Sequence, residues 1–390
     1  MIVANGNVKT VDDPEQSENV GWRVRMHHFT WAWYTLTMST GGIALVIAQT
    51  PHRFQGLTTI GIIFFILDLV MFATVTLALA ARFILFPASL RVSLRHPVES
   101  LFVPCFLLSI ATTLSNIQSY GVPHAGVWLT DILRVLFWIY CAVTFLVSVG
   151  QYYLLFTGKP MTLQSMTPVW ILPIFPVMLA GTVASAISRS QSPEHALPIM
   201  IAGLTFQGLG FFVSCFMYAN YVGRLMTAGL PSPNTRPGMF IAVGPPSFTG
   251  LALVGISSSA YRVFPSYTSI SLVEHPSWIA DILRVGALGS AILLWTLAFW
   301  FFCISLVSVL GGLKTMTFHL SWWSFVFPNV GFTIALIEIG DALNSPGILW
   351  VTSVMTVLLV ITWLMVICCQ VQSILNRQIL WPGKDEDRND

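Results

Sequence analysis

The chain has 390 residues, of which 55% are hydrophobic and 9% are Asp, Glu, Lys or Arg, against about 25% charged residues in a typical soluble domain. So few charges do not cover the surface of a soluble protein this long, which excludes an ordinary cytosolic enzyme, a nucleic-acid binder and a disordered chain. With a mean hydropathy of +0.77 and a net charge of +2, the remaining class is a polytopic membrane protein.

Residues 1–25 read as a polar N-terminal tail, and residues 377–390 as a C-terminal one. The first apolar run is too long for a cleaved leader and is expected to stay as a span. A bilayer core needs roughly 20 apolar residues per helix. Ten runs meet that: 29–49, 57–86, 98–118, 127–156, 167–188, 196–227, 237–258, 277–311, 320–340 and 346–376. Several even-numbered runs reach about 30 residues, long enough to tilt or to protrude into water. None alternates as a barrel strand would. The six cysteines, Cys105, Cys141, Cys215, Cys303, Cys368 and Cys369, all lie in apolar runs without metal-ligand spacing. They read as buried thiols.

Lys and Arg set the orientation. With the N-terminus cytoplasmic, thirteen of the 18 basic residues fall on that side, and only Arg53, Arg189 and Arg262 fall opposite. Arg134 and Arg284 lie in or near spans four and eight. The positive-inside rule then puts both termini in the cytoplasm.

The odd-numbered spans resemble one another. Thr37–Leu45 aligns without gaps with segments starting at Pro104, Pro176, Pro245 and Pro328. One helical hairpin per repeat gives five hairpins. The expected fold is all-α, with ten transmembrane helices as five hairpins in a pseudo-fivefold bundle around a central pore. A proline inside a helix frees a backbone carbonyl, which at membrane depth needs protein or water. Five breaks at one depth therefore point to one wet cavity. A stripe of small or polar residues is expected to face it: Met38, Gly41, Gly42; Cys105, Leu108, Ser109; Val177, Ala180, Gly181; Pro246, Thr249, Gly250; Asn329, Phe332, Thr333. The alternative for such a stripe is close helix packing.

Several strings carry a resemblance over roughly residues 26–376. They are His28-Phe29-Thr30-Trp31-Ala32-Trp33-Tyr34-Thr35-Leu36-Thr37-Met38-Ser39, Arg236-Pro237-Gly238-Met239-Phe240, Val243-Gly244-Pro245-Pro246-Ser247-Phe248, and Trp322-Trp323 followed by Phe327-Pro328-Asn329. In them the chain resembles the tellurite-resistance/dicarboxylate transporter family, related to plant slow-type anion channels, and within it the fungal C4-dicarboxylate (malate) transporters. The resemblance implies a plasma-membrane protein carrying malate, succinate and related diacids along a central pathway, often as a homo-oligomer. It also implies an aromatic plug from span nine, which matches Phe327. Phe332, on the small-residue stripe, is a second gate candidate.

A carboxylate substrate needs donors, preferably a guanidinium. Arg82, near the cytoplasmic end of span two, is one candidate; its bland alternative is a snorkelling anchor. Arg236 opens span seven, where it would attract anions at the pore mouth. Uncharged donors are Thr37, Ser39, Thr40, Gln207, Ser247, Thr249, Asn329 and Thr333. Asp68, deep in span two, reads as a proton site or ion-pair partner. Arg134 and Arg284 each follow an aspartate, Asp131 and Asp281, by three residues, a spacing that permits a same-face ion pair. Glu338 and Asp341 read as solvated, and His27 and His28 as interfacial anchors beside Trp31 and Trp33. No HExxH, paired-aspartate or GxSxG pattern is present, so no catalytic residue, metal or cofactor is expected and a membrane-embedded enzyme is disfavoured. Ten spans disfavour a seven-helix receptor. Within the same fold the alternative is an inorganic-anion or sulfite efflux transporter.

Overall fold

The computed structural model describes residues 21–264 and 276–381. Most of both tails therefore lies outside the described residues, including Lys9, Lys384 and Arg388. Ten long helices are described. We number them α1 (Tyr34–Gln49), α2 (Leu57–Leu85), α3 (Pro104–Asn116), α4 (Val127–Thr157), α5 (Phe175–Ile187), α6 (Pro193–Ala228), α7 (Gly244–Val263), α8 (Pro276–Leu310), α9 (Phe327–Ala342) and α10 (Pro346–Leu375). No strand occurs among the described residues.

The odd-numbered helices form an inner ring that closes on itself: α1 packs on α3, α3 on α5, α5 on α7, α7 on α9, and α9 back on α1. Each even-numbered helix sits outside, in the groove between two inner helices. α2 packs on α1 and α3, α4 on α3 and α5, α6 on α5 and α7, α8 on α7 and α9, and α10 on α9 and α1. This is the five-hairpin bundle that the repeat implied. Burial follows the two layers. In the four inner spans from 99 onward, 72% to 94% of the most apolar stretch is buried, against 17% to 33% in the outer helices. The outer faces carry apolar side chains such as Ile63, Leu77, Phe212, Leu293 and Val357, as a lipid-facing surface must.

Among the described residues, nine helical spans are long and apolar enough to cross a membrane. The tenth, α1, has 16 residues, about 24 Å of helix, and the 3₁₀ turn Trp31–Trp33 leads into it.

The prolines do not kink the inner helices midway, as the sequence suggested. Each inner segment opens as a 3₁₀ stretch and then turns α-helical, in four of the five at or just before the proline. The stretches are Trp31–Trp33, Glu99–Phe102, Pro168–Ile174, Pro233–Val243 and Leu320–Phe325. Pro104, Pro176, Pro245 and Pro328 then occupy the first turns of α3, α5, α7 and α9. Proline suits that place because the missing N–H belongs to a residue without an intrahelical acceptor.

All six cysteines are free thiols, but only Cys105 and Cys141 are buried; Cys368 is exposed. The Arg134–Asp131 pair forms at 3.0 Å. The matching pair in α8 does not. Tyr261 intervenes: its hydroxyl donates to Asp281, while the Arg284 guanidinium lies 5.1 Å from its ring centre.

Candidate functional site: an axial pathway closed by three phenylalanines

Five parallel inner helices define an axis, and three rings meet on it. Phe327 stacks on Phe248 at 5.3 Å between centres, and Phe175 packs edge-on against both, at 6.0 and 5.8 Å. All three are at most 3% exposed. Phe175 and Phe327 hold the same repeat position, directly before Pro176 and Pro328. Two glycines seat the rings. A Cβ on Gly331 of α9 would lie 2.7 Å from the Phe248 ring, and one on Gly244 of α7 would lie 2.5 Å from the tip of Phe175.

A cavity lies on each side of this cluster. Toward the end that carries Arg25 and Trp381 is a small pocket of about 20 Å³. All five inner segments line it, among them Thr35, Met38, Phe102, Ile241 and Ser324, together with Phe175 and Phe327. The five α-helical starts surround it, so their positive dipole ends converge on it. Toward the far end lies a vestibule of about 300 Å³, with Phe248 at its floor. Its polar wall comes from Gln49, Ser115, Gln118, Ser119, Thr182, Ser185, Arg189 and Glu338.

The polar residues singled out in the sequence line neither cavity. They lie between helices. Thr37 bonds Ser109 at 2.5 Å, joining α1 to α3. Ser39 donates to the Trp323 carbonyl, and Thr40 accepts from Trp363 of α10 at 3.0 Å. Gln207 of α6 donates to Thr249 of α7 at 2.9 Å. Ser247, Thr249 and Thr333 return their hydroxyls to the carbonyl four residues back, and the Asn329 amide does the same. The physical reason is local. A buried hydroxyl in a helix finds that carbonyl before it finds a ligand.

The small-residue stripe likewise turns away from the axis, correcting the expectation that it lines the pore. A Cβ on Gly41 would meet Asp68 of α2, one on Gly181 would meet Gln207 of α6, and one on Gly250 would meet Ala291 of α8. Phe332 stacks on Trp295 of α8 at 4.8 Å, and its carbonyl accepts from that indole. It therefore joins the outer layer and not the axial cluster. Only Met38 of the stripe reaches an axial cavity.

The charges are committed elsewhere. Arg82 is buried and paired with Glu99 at 2.5 Å, and it donates to the Phe29 carbonyl at 2.7 Å. It neither snorkels nor faces the axis. Arg236 donates to the carbonyls of Pro231 and Ser308, tying the segment before α7 to the end of α8. Asp68 is fully buried, and neither carboxylate oxygen has a hydrogen-bond partner among the described residues.

Three axial residues escaped the sequence reading. Phe175 was marked by its repeat equivalence to Phe327. Arg189 was marked by spacing, since Thr182, Ser185 and Arg189 share one face of α5 and its extension. Phe248 had no signal of its own. Glu338, read as solvated, is 14% exposed on its side chain and pairs with Arg189 at 2.7 Å.

Comparison with known proteins follows the same lines. The profile of the voltage-dependent anion channel family matches residues 28–371. A malic acid transport protein of Schizosaccharomyces pombe is 36% identical over 395 residues, covering 98% of this chain and 89% of the relative. A putative malic acid transport protein of the same yeast is 37% identical over 367 residues, covering 93% and 84%. A sulfite efflux pump of Trichophyton rubrum is 26% identical over 324 residues, covering 83% and 84%. The chain belongs to the voltage-dependent anion channel family.

Proposed function

We propose that the protein carries C4-dicarboxylates, malate and succinate among them, along the axis of the bundle. The near full-length match to two malic acid transport proteins, at 36% and 37% identity, carries this reading. The match to sulfite efflux pumps is at 26%. The axial geometry supports anion passage. A dianion crosses from the polar vestibule to the terminal-side pocket only where the Phe175–Phe248–Phe327 cluster parts. With the rings closed, water and ions are excluded; with them parted, the converging helix starts favour negative charge. Phe327 thus serves as a gate together with two partners.

Residues 26–376 form the transport domain in this reading, with both tails cytoplasmic and the protein in the plasma membrane as a homo-oligomer. Arg82 and the inter-helix hydroxyls hold the ring together, so that their effect on substrate is indirect. Asp68 is read as a proton-bearing group between α1 and α2. Expression in a yeast lacking its own dicarboxylate carrier tests the function. We expect saturable uptake of labelled malate that unlabelled succinate inhibits. Sulfite tolerance without malate uptake would replace this reading with the sulfite one.

A further inference from the structure

The far-end vestibule contains one carboxylate already bound to a guanidinium. Arg189 lies just beyond α5 with its side chain half-exposed, and its Nη2 holds Glu338 Oε1 at 2.7 Å. Both residues line the vestibule. The other two far-end arginines of the sequence reading are committed to backbone. Arg53 donates to the carbonyls of Ile47 and Ala48 at the end of α1. Arg262 donates to the carbonyls of Ser188 and Gln191, just past α5. Arg189 is thus the one cation among the described residues that line the vestibule. Its other guanidine donors have no protein partner there.

The surroundings make that cation important. All five inner helices end toward the vestibule, so their negative dipole ends face it. An anion arriving there meets unfavourable potential unless a fixed cation offsets it. Glu338 cancels that cation while the pair is closed. A half-exposed ion pair contributes little to folding, typically about 0–1 kcal/mol. Its lasting effect is on what else Arg189 holds.

We propose that Arg189 is the carboxylate-recognition residue of the vestibule, and that Glu338 is an internal competitor which the substrate displaces. A diacid brings a carboxylate of the same chemistry to the free donors of the guanidinium and exchanges with Glu338. The second carboxylate then meets the hydroxyls and amides of Ser115, Gln118, Thr182 and Ser185. A cavity of about 300 Å³ is at the small end of ligand pockets, which suits a C4 diacid.

This rests on the dicarboxylate reading, and malate uptake kinetics in yeast, with surface expression quantified, test the two separately. Arg189→Gln is expected to raise the malate KM about ten- to a hundredfold, the range of one lost charge-assisted hydrogen bond. Arg189→Lys falls between, because an ammonium is not a bidentate fork. Glu338→Gln lowers the KM severalfold. A merely structural ion pair predicts otherwise: neither single variant would lower the KM, and the two would not shift it in opposite directions. A wild-type KM in Arg189→Gln, or a raised KM in Glu338→Gln, overturns the proposal. If Arg189→Gln does not reach the surface, Glu338→Gln decides alone. If the wild type carries sulfite and not malate, the dicarboxylate reading fails by itself, and the same KM shifts measured with sulfite decide the role of Arg189.

Discussion

Phe327 is one of 27 phenylalanines, and its chemistry differs from theirs only through its neighbours. It meets Phe175 and Phe248 where five helices converge, and the three rings close the axis together. Replacing any one by alanine should leave a gap at the constriction. We expect Phe327→Ala, Phe175→Ala and Phe248→Ala each to raise malate flux or anion current several-fold at equal surface expression. Unchanged flux in all three would remove the cluster from the gate. Arg82 makes the opposite case. Its charge is fully committed to Glu99 in a buried pair, so removing one partner strands the other. Arg82→Gln or Glu99→Gln should cost about 3–5 kcal/mol of stability, and an apolar double replacement should recover most of it. Thermal unfolding of the purified protein in detergent checks this. A malate KM changed by Arg82→Gln in correctly folded protein would restore Arg82 to substrate contact.

At the scale of elements, the repeat is a junction and not a kink. Each inner segment changes from 3₁₀ to α near the depth of the phenylalanine cluster, and proline marks the change in four of five. In the sequence a proline flanked by apolar residues looks the same whether it interrupts a helix or begins one. The distinction depends on the backbone before it, here the 3₁₀ stretches that precede each junction. The two readings predict different costs. Pro176→Ala should change stability by under about 1 kcal/mol, since its ring fits the first turn and no donor is lost. Leu179→Pro, one turn further into α5, should cost about 3 kcal/mol or more. The melting temperatures of the two variants give the comparison. The even-numbered helices were legible as long spans, but their place in the grooves of the inner ring was not. Groove packing depends on pairs such as α10 with α1, far apart in the chain.

For the whole molecule, ten helices return the two ends of the described chain to one side, where Arg25 lies over the Trp381 ring at 5.8 Å. The distribution of Lys and Arg is the ground on which that side is proposed to be cytoplasmic. In a cysteine-free background, Glu194→Cys at the far end should react with an impermeant maleimide in intact cells, whereas Lys159→Cys should react only after permeabilisation. The reverse pattern would invert the topology and place the Arg189 vestibule inside the cell.

With Phe327 singled out only by the family resemblance, hydropathy and an internal repeat were sufficient for membrane residence, the helical spans and the five hairpins. These are properties of segments, and a bilayer imposes them on each segment separately. Which face of each inner helix meets the axis was decided by closure of the ring alone. Small and polar residues looked suited to a pore, yet at Gly41, Gly181 and Gly250 they let the outer helices approach. The buried hydroxyls were satisfied by carbonyls one turn back or by partners as distant as Trp323 from Ser39. The axis fell instead to three phenylalanines and to the Arg189–Glu338 pair, because contacts between residues on different hairpins exist only once all five hairpins have closed around one another.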